Sequence, residues 1–244
     1  MKKTSKAEKE EILRFDHLCE EGARLEVLLE TLLVSKLGRD TKMKLSASLL
    51  NWFDKFGAIN ADEFHKNVLL LIECYQSKLV PFASYLFPSL LCGPHDVIVS
   101  GVLISIQDYE LILNSVGFGA EEFHDVLRVQ AMKDNEERFN IAFKHFVVLP
   151  EKAVSDVADS LIALLVGDEK TSHFKYIIKL IDYAPDVLSR KKQFFKWPTR
   201  LKKPMMTPSL KDLLAHLDVI DEKNKLEAIV MPVEEQPKKR ASPF

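Results

Sequence analysis

The chain has 244 residues, of which 47% are hydrophobic and 29% charged, and its formal net charge is −2 at pH 7. That content can bury one extended core or two small ones, and it excludes a disordered chain. It also excludes a membrane-spanning helix, which needs roughly 18 uninterrupted apolar residues; the longest candidates, Val68 to Ile72 and Val97 to Ile106, are short or carry polar residues.

The opening Met1-Lys2-Lys3-Thr4 has the basic start of a secretory signal but runs on into Glu8, Glu10 and Glu11. No secretory signal is read, and a cytoplasmic protein is expected. From about Lys6 to Leu37, Ile12, Phe15, Leu18, Cys19, Leu25, Leu28, Leu29, Leu32 and Leu33 recur at three- and four-residue spacing, which predicts one long helix or two. Gly38 and Arg39-Asp40 end that stretch, and a second periodic segment, Met43 to Phe56, stops at Gly57. Residues 1–57 therefore read as an N-terminal helical section.

Residues 58–188 read as a train of short amphipathic helix pairs. Helix starts near Asp62, His95, Ala120 and Lys152 are spaced as stacked helix-pair repeats would be. Only Val97 to Ile106, rich in valine and isoleucine, offers a plausible strand. Two starts are alike: Asn60-Ala61-Asp62-Glu63-Phe64-His65 and Gly119-Ala120-Glu121-Glu122-Phe123-His124. Each places carboxylates in the first helical turn, where the helix dipole favours them.

The same segments set Asp62 with His65, and Glu121 with His124, at i and i+3, the spacing of a ferritin-like two-metal centre. Glu30 could complete one side, but the other offers only Asp96 in a turn-like stretch, so the ligand set is incomplete. Cys92 and His95 make half a zinc motif without a second half. Packed or surface roles are expected for all seven histidines, with no metal and no cofactor. Cys19, Cys74 and Cys92 are odd in number and widely spaced, which predicts buried free thiols. The eight glycines form no phosphate-cradling loop, and Ser100-Gly101 lacks the second glycine of a nucleophile elbow.

Residues 189–208 form a basic linker. Arg190, Lys191, Lys192, Lys196, Arg200, Lys202 and Lys203, with Lys211 beyond, occur without an intervening acid, so the rest of the chain is acidic. Phe194, Phe195 and Trp197 interleave with them, and prolines break the stretch. An anionic membrane or nucleic acid could attach here, or the segment is a solvated linker; the prolines favour the linker. Thr207-Pro208-Ser209-Leu210 then opens a capped helix over 209–230, with Leu210, Leu213, Leu214, Leu217 and Ile220 on one face. Residues 231–244 are too polar and proline-rich to fold alone. Within them Pro237-Lys238-Lys239-Arg240 resembles a nuclear-localisation patch, and Lys239-Arg240-Ala241-Ser242 a basic-directed phosphorylation site.

The segment Ser172-His173-Phe174-Lys175-Tyr176-Ile177-Ile178-Lys179-Leu180-Ile181-Asp182-Tyr183-Ala184-Pro185-Asp186-Val187 resembles the second helix and following turn of an ankyrin repeat. Leu127 to His145 is a fainter copy. The departures are Lys179 where a leucine is usual, Pro185 in the turn, and no Thr-Pro-Leu-His start in the preceding helix. The resemblance implies a curved stack that binds another protein. The polar tail also resembles the C-terminal signals of bacterial effectors injected into host cells.

The fold expected is thus all-α: a stacked helix-pair, ankyrin-like array with an N-terminal helical section and a C-terminal capping helix. Protein binding is the function expected, through residues at the pair junctions: Asp96, Asp134, Asn135, Glu136, Asp168, Glu169 and Lys170. An enzyme with a site between helices is the alternative, although no catalytic residue can be named.

Overall fold

The computed structural model describes residues 6–35, 37–56, 61–77, 83–92, 98–99, 102–168, 170–191 and 208–230. The described residues are helical apart from connecting turns and one minimal ribbon. In order they form α1 (Lys6–Glu20), α2 (Leu25–Val34), α3 (Arg39–Phe56), α4 (Ala61–Gln76), α5 (Ala83–Cys92), β1 (Ile98–Val99), β2 (Val102–Leu103), α6 (Ile106–Ser115), α7 (Ala120–Met132), α8 (Glu136–Phe146), α9 (Glu151–Gly167), a short 3₁₀ turn (Thr171–His173), α10 (Phe174–Ile181) and α11 (Pro208–Val230). The fold is all-α, as the periodicity predicts. Among the described residues of the valine-rich stretch, β1 and β2 pair antiparallel, with Ile98 opposite Leu103 and Val99 opposite Val102. It extends no further because Ser105 caps α6, its hydroxyl accepting from the Asp108 backbone N–H at 3.0 Å.

The N-terminal periodic stretch is two helices. Gly22 separates them with φ +73°, a left-handed conformation that side chains rarely adopt. A Cβ there would also meet the Phe56 ring of α3 at 3.0 Å. Gly22→Ala is therefore expected to destabilise the protein by about 1–3 kcal/mol, measured by chemical denaturation; a change within error would show that the turn relaxes freely. Gly38 and Arg39, read as a helix stop, instead open α3: the Thr41 N–H donates to the Gly38 carbonyl at 3.0 Å, and Arg39 is its first residue. The start predicted near His95 lies outside the described residues. Those near Asp62, Ala120 and Lys152 fall within one residue of α4, α7 and α9.

The chain divides into two compact units, 1–157 and 158–244, with the division inside α9. In the first unit most helices pack on the next but one. One file runs α1, α3, α5, α7, and a second runs α4, α6, α8. Cross-file contacts join α4 to α5 and α7 to α8, and α2 packs on α1. The burial pattern explains the packing: Phe64, Val68, Leu71 and Ile72 of α4, and Phe123, Val126, Leu127, Gln130 and Ala131 of α7, fall at helical spacing on one face. Aromatic edges join successive helices, Phe53 to Phe64 at 6.4 Å and Phe123 to Phe146 at 6.1 Å between ring centroids.

In the second unit, α10 buries Phe174, Tyr176, Ile177, Leu180 and Ile181 and packs on α11, which buries Leu213 and Leu217. The remainder of α11 is less committed: Val219 and Leu226 are more than 60% exposed. No helix among the described residues is long and apolar enough to cross a membrane.

Candidate functional site

Among the described residues of the first unit, two sets of buried polar contacts link the three helices of the second file, one between α4 and α6 and one between α6 and α8. On α6, Asp108 is 4% exposed and accepts two bonds: the Ser105 hydroxyl donates to Oδ2 at 2.8 Å, and His65 Nδ1 of α4 lies 2.5 Å from Oδ1. On α8, Arg138 is 8% exposed; its guanidinium donates to the Ile104 carbonyl and sits 5.4 Å from the centre of the Tyr109 ring. The Tyr109 hydroxyl is buried without a hydrogen-bond partner. Burial pushes its phenol well above the ordinary value, with Cys92 adding to the shift and Arg138 opposing it.

The local sequence accounts for this placement. Ser105-x-x-Asp108 precedes the apolar run of α6 as a capping sequence, which sets Asp108 in the first turn beside the positive helix end. Asn135 does the same for α8, its side-chain oxygen accepting from the Arg138 backbone N–H at 3.2 Å. Two helix starts thus hold the carboxylate and the guanidinium, while α4 delivers the imidazole.

Serine, histidine and aspartate meet here, but in the wrong order for a nucleophilic relay. In such a relay the imidazole stands between hydroxyl and carboxylate. Here Asp108 stands between Ser105 and His65, so the serine proton is engaged by the carboxylate. The arrangement cross-links α4 and α6 rather than activating a nucleophile. His65 is also drawn to Asp108 and not towards a metal set with Asp62; among the described residues no three His, Cys, Asp or Glu side chains converge to hold an ion.

The junction residues fall into two groups. Asp134, Asn135 and Glu136 share the α7–α8 turn, where Asp134 adopts φ +58° and Asn135 serves as the cap of α8. In the second unit Asp168 pairs with Lys170 at 3.0 Å, and its carboxylate lies 3.7 Å from Nε2 of the buried His173. Asp96 and Glu169 lie outside the described residues. Of the basic segment, Arg190 pairs with Asp159 at 2.9 Å and also donates to its carbonyl, and Lys191 pairs with Asp218 of α11. Those two cations are therefore partly neutralised by intramolecular carboxylates. Lys192, Lys196, Arg200, Lys202 and Lys203 lie outside the described residues.

The three cysteines are free thiols, Cys19 buried and Cys74 and Cys92 half-buried. Burial first, then Asp16 and Glu20, pushes the Cys19 thiol from 9.0 up to about 12. Burial first, then Asp125, pushes Cys92 up to about 12. Cys74 is also raised, by burial and by Glu73. A raised acid favours the folded state while it stays protonated, so this contribution is intact below about pH 9 and is lost as pH climbs towards 12. Native thiols should accordingly resist Ellman's reagent at pH 8, with Cys74 reacting first and Cys19 and Cys92 released only by denaturant. Rapid labelling of Cys19 in the folded protein would contradict this burial.

Sequence reading missed the cluster because nothing in the order of residues announces that α4, α6 and α8 converge. The available signals were the two capping sequences, Ser105 to Asp108 and Asn135 to Arg138. Compared with models of known protein families, with characterised proteins and with solved structures, the chain matches none.

Proposed function

We propose that the first unit is a protein-binding module of helical-repeat type. The observation that carries this reading is the packing of alternate helices into two files, α1–α3–α5–α7 and α4–α6–α8. A helix pair cannot bury both of its apolar faces alone. Stacking gives it a continuous core and leaves the turns and outer faces free to vary without unfolding the array. The contacts of Asp108 with Ser105 and His65, and of Arg138 with the Ile104 carbonyl, fit this role as internal fastenings between neighbouring helices. The ankyrin-like segment and the effector-like tail extend the proposal: a bacterial effector that engages a host protein.

The test is capture from eukaryotic lysate on the full chain at low and high salt, with an Asp134→Asn/Glu136→Gln double variant alongside. A discrete protein that survives high salt and is weakened by the double variant supports binding through the helical turns. Recovery only of anionic material that salt removes would overturn it, and would move the function to the basic segment.

A further inference from the structure

At the end of α10 the second unit carries an open groove of about 470 Å³, the size of a ligand pocket. It forms because α10 stops at Ile181, with Pro185 close behind to prevent its continuation, whereas α11 runs on to Val230. The floor is apolar: Ile181, Ala184 and Val187 are buried, and Leu188 and Ile220 half-buried. The rim is charged, with Asp182 and Asp186 after α10 and Lys223 on α11, all exposed.

The course of the chain points to what covers this groove. Leu188 lines it, and Lys191, just beyond, pairs with Asp218, which lies two residues before Ile220 on α11. Residues 192–207 come next and lie outside the described residues; the chain is described again from Pro208, the first residue of α11. Both ends of that segment are therefore fixed within the second unit. Trp197 is nine residues past Leu188, and an extended chain of that length spans about 30 Å, which is ample for a return to the groove.

Complementarity points the same way. The segment holds Phe194, Phe195 and Trp197 among Lys192, Lys196, Arg200, Lys202 and Lys203, and no acid. Its rings need an apolar floor and its cations need carboxylates, and the groove offers the first beneath the second, with two carboxylates against one ammonium. Asp182 already faces His216 at 3.3 Å, which leaves Asp186 the better placed to meet a cation. Of the three rings Trp197 has the most area to bury and an N–H that can stay at the polar rim, and Lys196 adjoins it. Tethering adds to the affinity, because a segment joined to the edge of its own groove is present at roughly millimolar effective concentration. We propose that this groove is the docking site of the chain's own aromatic and basic segment, 192–207, with Trp197 on the apolar floor and Lys196 beside Asp186. Only the second unit is involved, so a failure here leaves the binding role of the first untouched.

The experiment labels the full chain with fluorotryptophan and follows its two fluorine signals by NMR, with Trp197→Phe assigning them. A soluble nitroxide reports which ring solvent reaches. The nitroxide should broaden the Trp197 signal about fivefold less in the folded chain than in urea. Ile220→Asp should raise that broadening to the urea level, and Asp186→Lys should raise it about halfway. Asp186 is exposed and Ile220 half-buried, so both variants are expected to fold. Circular dichroism and an unmoved Trp52 signal check that they do.

A Trp197 ring as accessible in the folded chain as in urea overturns the inference. Protection that neither variant reduces also overturns it, since the ring would then be buried elsewhere. Protection lost on dilution overturns intramolecular docking and gives the groove to the segment of a second copy. Protection that survives dilution and falls in Asp186→Lys, with circular dichroism unchanged, supports it.

Discussion

Replacing Asp108 with alanine is expected to lower the unfolding free energy by about 2–4 kcal/mol, because two hydrogen bonds to one buried carboxylate disappear together. For a protein of this size that corresponds to a fall in Tm of roughly 5–15 °C. The loss arises on both partners: the Ser105 hydroxyl and His65 Nδ1 each face a site from which their acceptor has gone. Asp108→Asn retains shape and an acceptor oxygen and should cost less, about 1–2 kcal/mol. A double-mutant cycle with His65→Ala isolates the α4–α6 link and should return a coupling of about 1 kcal/mol, since the histidine side chain is 48% exposed while the carboxylate is not. A loss below about 0.5 kcal/mol for Asp108→Ala would mean that apolar packing alone holds this file together.

Arg138→Ala is expected to be about as damaging, near 3 kcal/mol, through a charged hydrogen bond, a cation–π contact and the packing of the aliphatic stem. The residue reaches from α8 to the Ile104 carbonyl just before α6, and it covers the Tyr109 ring. Arg138→Met separates the contributions. Methionine restores the stem without the charge, so it should recover about half of the loss. Full recovery would show that the guanidinium contributes nothing net; no recovery would assign the whole effect to its bonds. Both variants are read by urea denaturation of the intact chain, with near-ultraviolet circular dichroism reporting the packing of Tyr109.

These two residues also mark the border between what was legible and what was not. That α8 exists, and where it starts, follows from Asn135 ahead of Glu136, because capping is a local bargain between a side chain and the nearest free N–H groups. The same holds for the end of α3 at Phe56 and the start of α11 at Pro208. Two starts were misread locally. Gly38 looks like a stop but begins the turn into α3, and Val97 to Ile106 has the composition of a strand although Ser105 turns its end into a helix cap.

The sequence by itself determined the all-helical class, the positions of most helices and which face of each is apolar, since periodicity and caps act over a few residues. It also determined that the thiols are dispersed and that the charge is uneven. Only the tertiary structure decided that α1, α3, α5 and α7 form one file and α4, α6 and α8 another. It alone brought His65 to Asp108 and Arg138 to the Ile104 carbonyl and the Tyr109 ring, and left the indole N–H of Trp52 without a partner. The physical reason is range: an amphipathic helix specifies that its apolar stripe must be covered but not by which neighbour, and polar groups on different helices meet only after that choice is made.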